Sequence, residues 1–426
     1  MVIKRWFLCV LLLAVVLYVV YTFSSMDLHQ VVPWGWKYYS QDPNGTGNIL
    51  VNHMISCVGL FEGNEAVQSA TMDLSNHWKY VPSTPTQYVT WTKNCAAFIR
   101  DRQYIMTISD AESALPIAFS ILVYRDIEQM ERLLRVIYRP SNFYCIHVDS
   151  KAATDFRDGV KGIADCFDNV FLSSRSVSVI WGTFTVLEPE LICISDLLKR
   201  PSWRYFINLT GQEFPLKTNR ELVQILNVYG GANDIEGTTV NIPDRKQRWG
   251  SAGKLPHGLT PVKGAVHIVA NRDFVTYAVN STVGLDLLAW VKKTIIPDET
   301  FFSTLNHNSQ LNIPGTYNGT GETKEINRPF VARYKLWVYN DGIMIHQCFG
   351  KYVHHICVFG VRDLPKLIYR EELFTNKFYA DFEPLAYDCM EQRYFSKVRA
   401  EQCGNHSINT QFYESLGFVK NRIRAL

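Results

Sequence analysis

The sequence contains no Gly-x-Gly-x-x-Gly loop and no Gly-Lys-Ser/Thr loop. It thus lacks the glycine-rich cradles with which dinucleotide enzymes and P-loop ATPases hold phosphates. No two cysteines stand at the two-residue spacing of a zinc knuckle. An excess of either charge is missing too. The 43 basic and 40 acidic residues leave a net charge of +3, spread along the chain, so there is no footprint for nucleic acid. No internal repeat is visible. Long apolar runs are absent with one exception.

The exception is Trp6–Phe23. At about 1.5 Å per residue, this uncharged stretch can just cross a hydrocarbon core of ~30 Å. Lys4 and Arg5 precede it, and the next basic residue is Lys37. The positive-inside rule then gives a cytoplasmic tail over 1–5, a signal anchor over 6–23 and everything beyond in the lumen. A signal peptide cleaved near Ser24 and Ser25 is the other reading. Both place the bulk of the chain outside the cytosol.

Apolar residues make up 47% and aromatics 13%, which suits a well-cored globular protein. Of ten cysteines, Cys9 lies in the apolar run. In an oxidising lumen the others should mostly pair, and their odd number leaves one over. Asn-x-Ser/Thr triplets make Asn44, Asn280, Asn318 and Asn405 candidate glycan sites. Asn208 carries the triplet too, but its apolar, strand-like surroundings argue against modification.

Residues 24–55, with Pro33 and Pro43, read as a stem before a lumenal domain over 56–426, whose core is expected at about 110–390. Ile117–Val123 is strand-like. Asp126 can cap a helix whose apolar face carries Ile127, Met130, Leu133, Leu134 and Ile137. Phe143–Val148 is strand-like again. Val170–Leu172, a helix over 187–198, a strand from Tyr205 and short elements at 265–269 and 274–277 follow. Strand–helix–strand is the unit of a parallel sheet, so an α/β domain is expected. Ligands of such sheets sit beyond the carboxyl ends of the strands, where Asp149 falls. It suits a nucleotide ribose or base, or simply a turn.

Pro116–Lys151 and Trp203–Asn219 resemble segments of the core-2/I-branching β-1,6-N-acetylglucosaminyltransferase family. Pro297-Asp298-Glu299, Cys357–Gly360 and Leu373–Lys377 follow in the family's order. The resemblance implies a GT-A-like nucleotide-sugar fold with a mixed, mainly parallel sheet. It also implies a single-pass type II Golgi membrane protein, with a UDP-sugar donor and an O-glycan acceptor as partners. The reaction it implies is an inverting transfer of a β-1,6-linked GlcNAc from UDP-GlcNAc to core-1 mucin-type glycans, without a metal cofactor. No Asp-x-Asp triplet occurs, the motif by which most enzymes of this fold hold Mn²⁺. Lys or Arg is then the obvious neutraliser of the leaving UDP. Other donors such as UDP-glucose, I-branching or xylosyl transfer, and an inactive lectin-like or adhesion role stay open.

The resemblance assigns roles residue by residue. Glu299 becomes the catalytic base, although Pro-Asp-Glu is otherwise a common first helical turn. Lys377 becomes a diphosphate contact. His354 stands where the family has a second, arginine contact, inside the loop from Cys348 to Cys357 that would hold it beside the diphosphate. Asp149 and Trp181 fall near uracil and ribose. Glu236, Arg245, Arg248, Trp337 and Tyr339 fall on the acceptor, with the 236–249 spacing one residue longer than the family's. The implied disulfides are Cys57–Cys389, Cys95–Cys166, Cys145–Cys193 and Cys348–Cys357. Cys403 is left unpaired, which leaves a homodimer open.

Overall fold

The computed structural model describes residues 56–239, 242, 245–319, 330–338 and 347–424, together with 38–40. At 38–40 and 75–79 only the backbone is described. The expected tail, anchor and Asn44, most of the stem, and Tyr339 lie outside these residues. Among the described residues no single helix is long and apolar enough to cross a membrane. The chain divides into two units, residues 1–55 with 76–81, and 56–75 with 82–426. The first contains an antiparallel pair, Tyr38–Ser40 against Trp78–Tyr80, so part of the expected stem is a strand.

The second unit is built on a six-stranded sheet. In chain order the strands are β1 (Ile117–Val123), β2 (Phe143–Val148), β3 (Val170–Leu172), β4 (Tyr205–Thr210), β5 (Glu213–Pro215), β6 (Asp234–Ile235) and β7 (Ile268–Asn271). The large sheet runs β3-β2-β1-β4-β7-β6. Its first four members are parallel, while β7 is antiparallel to both β4 and β6. This is the mixed, mainly parallel sheet expected. The continuous apolar runs of β1 and β2 reflect burial on both faces. A second sheet joins β5 to β8 (Arg333–Tyr334) and β11 (Phe374–Asn376); β9 (Lys351–Val353) and β10 (Ile356–Val358) form a hairpin.

Helix α1 (Ile127–Ile137) begins at Asp126, but not by the capping expected. Asp126 has φ +59°, and its carboxylate pairs with Arg125 at 3.1 Å rather than with a helix amide. Side-chain capping needs an extended backbone there. The helix is buried on its polar face as well. Glu131 accepts from Arg102 Nε and Tyr104 Oη, both at 3.0 Å, and Arg132 pairs with Glu391 at 2.6 Å. Glu391 belongs to the helix Pro384–Gln402. The core therefore extends beyond the expected 110–390, taking in Tyr88 and Phe98 before it and Tyr413 and Phe418 after it.

Disulfides Cys57–Cys389, Cys95–Cys166, Cys145–Cys193 and Cys348–Cys357 are all formed, and Cys403 is free and exposed. Cys57–Cys389 closes a separation of 332 residues. A closure that long restricts the unfolded chain the most, by about 6 kcal/mol in the chain-entropy account. Asn280, Asn318 and Asn405 are exposed. Asn208 is buried, and its amide donates to Glu190 Oε2 at 3.0 Å and Val266 O at 2.7 Å.

Candidate active site

Glu299 ends a short 3₁₀ turn, Pro297–Glu299. Its carboxylate lies 2.9 Å from Arg248 Nη2 and 3.8 Å from Lys263 Nζ. Three backbone contacts hold this arrangement. Gly264 N–H donates to Glu299 O at 2.7 Å, Lys263 and Thr238 exchange both their backbone bonds, and Ile295 N–H donates to Arg248 O at 3.0 Å. A Cβ on Gly264 would collide with Glu236 O and Ser303 Oγ, so only glycine lets these segments close on Glu299. Trp249 Nε1 donates to Thr300 Oγ1 at 3.1 Å and ties the Arg248 helix to the turn.

Lys335 joins the group. Burial lowers its pKa, and the charges of Glu236 and Glu299 oppose that shift. Its ammonium lies 5.6 Å from the centre of the Trp337 ring. The structure thus brings together Glu299, Arg248, Glu236 and Trp337 from the sequence reading, and adds Lys263 and Lys335, which that reading missed. Lys335 stands two residues before Trp337, just after β8. Lys263 had no sequence signal. Arg245 is exposed on its helix, 5.9 Å from the centre of the Trp249 ring, and among the described residues it forms no ion pair with Glu299. Among the described residues, Arg248 Nε and Nη1 are buried donors without an acceptor.

Behind Glu299, Asp298 is buried and has no partner for Oδ1. Burial, followed by the charge of Glu299, pushes its pKa up to about 7. Burial likewise raises Glu190 to about 8.

Asp149 follows β2, and its N–H donates to Val123 O at 2.9 Å. Its carboxylate accepts from Lys151 N–H at 2.8 Å and Val179 N–H at 3.2 Å. It therefore serves the turn, and it also fixes the loop that presents Trp181. That ring is 80% exposed. Ile296 N–H donates to Gly182 O at 2.9 Å, so the Trp181 loop is fastened to the Asp149 turn at one end and to the Glu299 turn at the other.

Lys377 lies after β11 and is 6% exposed. Burial, then Arg125, lowers its pKa. His354 lies inside the Cys348–Cys357 loop. It occupies the exposed tip of the β9–β10 hairpin with His355, at φ +50° and +64°. Two consecutive left-handed residues make a type I′ turn, a place usually taken by Asn-Gly. The disulfide joins Cys357, which lies opposite Tyr352 in the middle of the hairpin, to Cys348 ahead of β9.

Two groups of described residues approach metal-ligand spacing. In one, Cys348 and Cys357 are consumed by their disulfide. In the other, Glu221 is already engaged by His406 at 2.7 Å, Lys397 at 2.5 Å and the N–H of Thr218 at 2.7 Å.

The family model for the Core-2/I-Branching enzyme matches residues 117–368. The chain belongs to this family. A human β-1,3-galactosyl-O-glycosyl-glycoprotein β-1,6-N-acetylglucosaminyltransferase is 34% identical, over 79% of this chain and 84% of the relative. Human enzyme 3 of that name is 33% identical over 81% and 85%. Zebrafish (Danio rerio) enzyme 4 is 30% identical over 94% and 96%. The span that the branching-enzyme family shares contains Asp149, Trp181, Glu236, Glu299 and His354, and ends before Lys377.

Proposed function

We propose that this glycosyltransferase moves GlcNAc from UDP-GlcNAc to a 6-hydroxyl of core-1 mucin-type O-glycans, with inversion and without a divalent metal. Glu299 removes the proton from the acceptor hydroxyl as that oxygen attacks the anomeric carbon. The bond from that carbon to the β-phosphate breaks, UDP leaves with the bonding pair, and the proton stays on Glu299. Arg248 and Lys263 orient the carboxylate. Trp337 offers an aromatic face to the apolar side of a sugar, and Glu236 and the free donors of Arg248 suit its hydroxyls. Lys377 takes charge from the departing diphosphate, while Asp149 and Trp181 frame the nucleoside. Arg245 and Tyr339 complete the acceptor contacts in this reading.

The observation that carries the proposal is the ion-paired placement of Glu299 against Arg248 and Lys263, with Trp337 and Glu236 beside them. The relatives' names supply the linkage and donor class. The longer 236–249 segment and the histidine at 354 favour, as a second reading, a different donor or acceptor within the same reaction type. Four disulfides suit an oxidising lumen, and we place the enzyme in the Golgi, anchored by residues 6–23. The test is a panel of UDP-sugars with a core-1 disaccharide, in EDTA, using wild type and Glu299→Gln. Loss of a positioned base should lower kcat by about 10²–10⁴-fold and leave UDP affinity intact. A variant with wild-type turnover would remove Glu299 from the mechanism.

A further inference from the structure

Three cations crowd one aromatic ring at the carboxyl end of β1. The Arg125 guanidinium lies 5.1 Å from the centre of Tyr379, Lys377 Nζ 5.4 Å and Lys351 Nζ 5.9 Å. Lys351 Nζ also lies 4.3 Å from the centre of Phe382. Like charges repel, so such a cluster needs anions. Arg125 has one, Asp126 at 3.1 Å. Asp381 is exposed nearby, and its charge acts on Asp126 and on Tyr379. Among the described residues no carboxylate pairs with Lys351 or Lys377. Two lysines, one of them more than nine-tenths buried, thus face a shared ring with their charge unanswered.

The backbone builds this site deliberately. In the hairpin register Lys351 lies opposite Val358. The residues on either side of Val358 both bond Lys377, with Phe359 N–H donating to Lys377 O at 3.0 Å and Lys377 N–H to Cys357 O at 3.4 Å. Lys351 therefore sits one strand away from Lys377. His354 lies three residues further along the hairpin, about 10 Å at the rise of a strand. Gln129 of α1, itself buried, holds the other side. It donates to Phe378 O at 2.9 Å and accepts from Ala380 N–H at 2.8 Å, fixing the chain on both sides of Tyr379.

Resting on the glycosyl-transfer reading above, we infer that Lys351 and Lys377 together receive the diphosphate of the UDP-sugar, with Arg125 as the neighbouring charge, and that His354 takes no part. Lys351 supplies the cation lost where the histidine stands.

Calorimetric titration of the lumenal enzyme with UDP and with uridine tests this. Lys351→Gln should weaken UDP by about 10-fold or more, as loss of a charge-assisted contact does. Uridine should bind within about two-fold of wild type, because it carries no phosphate. Lys351→Arg should restore most of the loss, and His354→Ala should change UDP affinity less than about two-fold. Lys351 is exposed, so its replacement leaves the core untouched. UDP affinity that survives Lys351→Gln, or that collapses in His354→Ala, overturns the inference while leaving the glycosyl-transfer reading in place. A wild-type enzyme that binds no UDP overturns both.

Discussion

The surroundings of Glu299 and those of Tyr379 are both rich in cations, but the cations are partnered differently. Around Glu299 the charges answer one another. Arg248 and Lys263 meet its carboxylate, and Lys335 sits in the fields of Glu236 and Glu299. Around Tyr379, Lys351 and Lys377 pair with no carboxylate among the described residues. In the first region Arg248 and Lys263 already meet a carboxylate, as suits a neutral sugar whose hydroxyl must be oriented. The two regions also differ in their support. The Glu299 turn is held by a glycine-permitted approach of backbones, whereas the Tyr379 segment is clamped by one buried glutamine.

Removal of Arg248 is the sharpest way to break that contrast. Arg248→Ala leaves Glu299 with Lys263 alone and deletes two donors that have no protein acceptor. We expect kcat/KM for the acceptor to fall by about 10²-fold, the scale of a misplaced reacting group, with UDP affinity unchanged. An equal loss on UDP would show that the two regions are one. A smaller effect separates them without mutation. Raising NaCl shortens the Debye length from about 10 Å at 0.1 M to 3 Å at 1 M. UDP affinity should then weaken several-fold, while KM for a neutral disaccharide moves less than about two-fold. Parallel salt dependence would contradict the assignment of the unpaired charge to the diphosphate.

The contrast also separates what the sequence discloses from what it does not. Strands β1 and β2 and the helix between them are legible, because apolar runs of strand length and a 3.6-residue stripe are local signals. Glu299, Lys377 and the four disulfides follow from the motif resemblance. Lys263, Lys335, Lys351 and Gln129 do not, since each matters through a partner far along the chain. Gln129 and Phe378, for instance, are 249 residues apart. Asp126 misleads for a different reason. Its residue type favours a helix cap, but its left-handed backbone turns the carboxylate toward Arg125. The helix over 384–402 hides as well, for its polar residues are buried by pairing with α1 rather than by an apolar stripe.

The buried groups behind the two regions predict opposite responses to pH. On the base side, burial raises Asp298 to about 7 and Glu190 to about 8, and burial raises Asp234 to about 8 as well. An acid with a raised folded pKa favours the folded state while protonated, and that contribution is lost as pH rises toward the folded value. On the nucleotide side, burial lowers His147 to about 4, and its Nε2 accepts from Val177 N–H at 3.0 Å, which requires a neutral ring. A histidine with a depressed folded pKa contributes stability above its unfolded value of about 6.5, and loses it as pH falls toward 4. From pH 4 to 6.5 the two sets oppose each other. From pH 6.5 to 8 only the acids act, so Tm should fall over that interval by about 5 °C or more. Because the charge of Glu299 helps to raise Asp298, Glu299→Gln should flatten that decline while losing turnover. His147→Gln should leave the alkaline slope alone and gain on wild type as pH drops from 6.5 to 4. Scanning calorimetry of the three proteins across pH measures both slopes. A Tm that rises from pH 6.5 to 8, or an alkaline slope that His147→Gln removes and Glu299→Gln does not, would mean that the titrating groups behind the two regions have been exchanged.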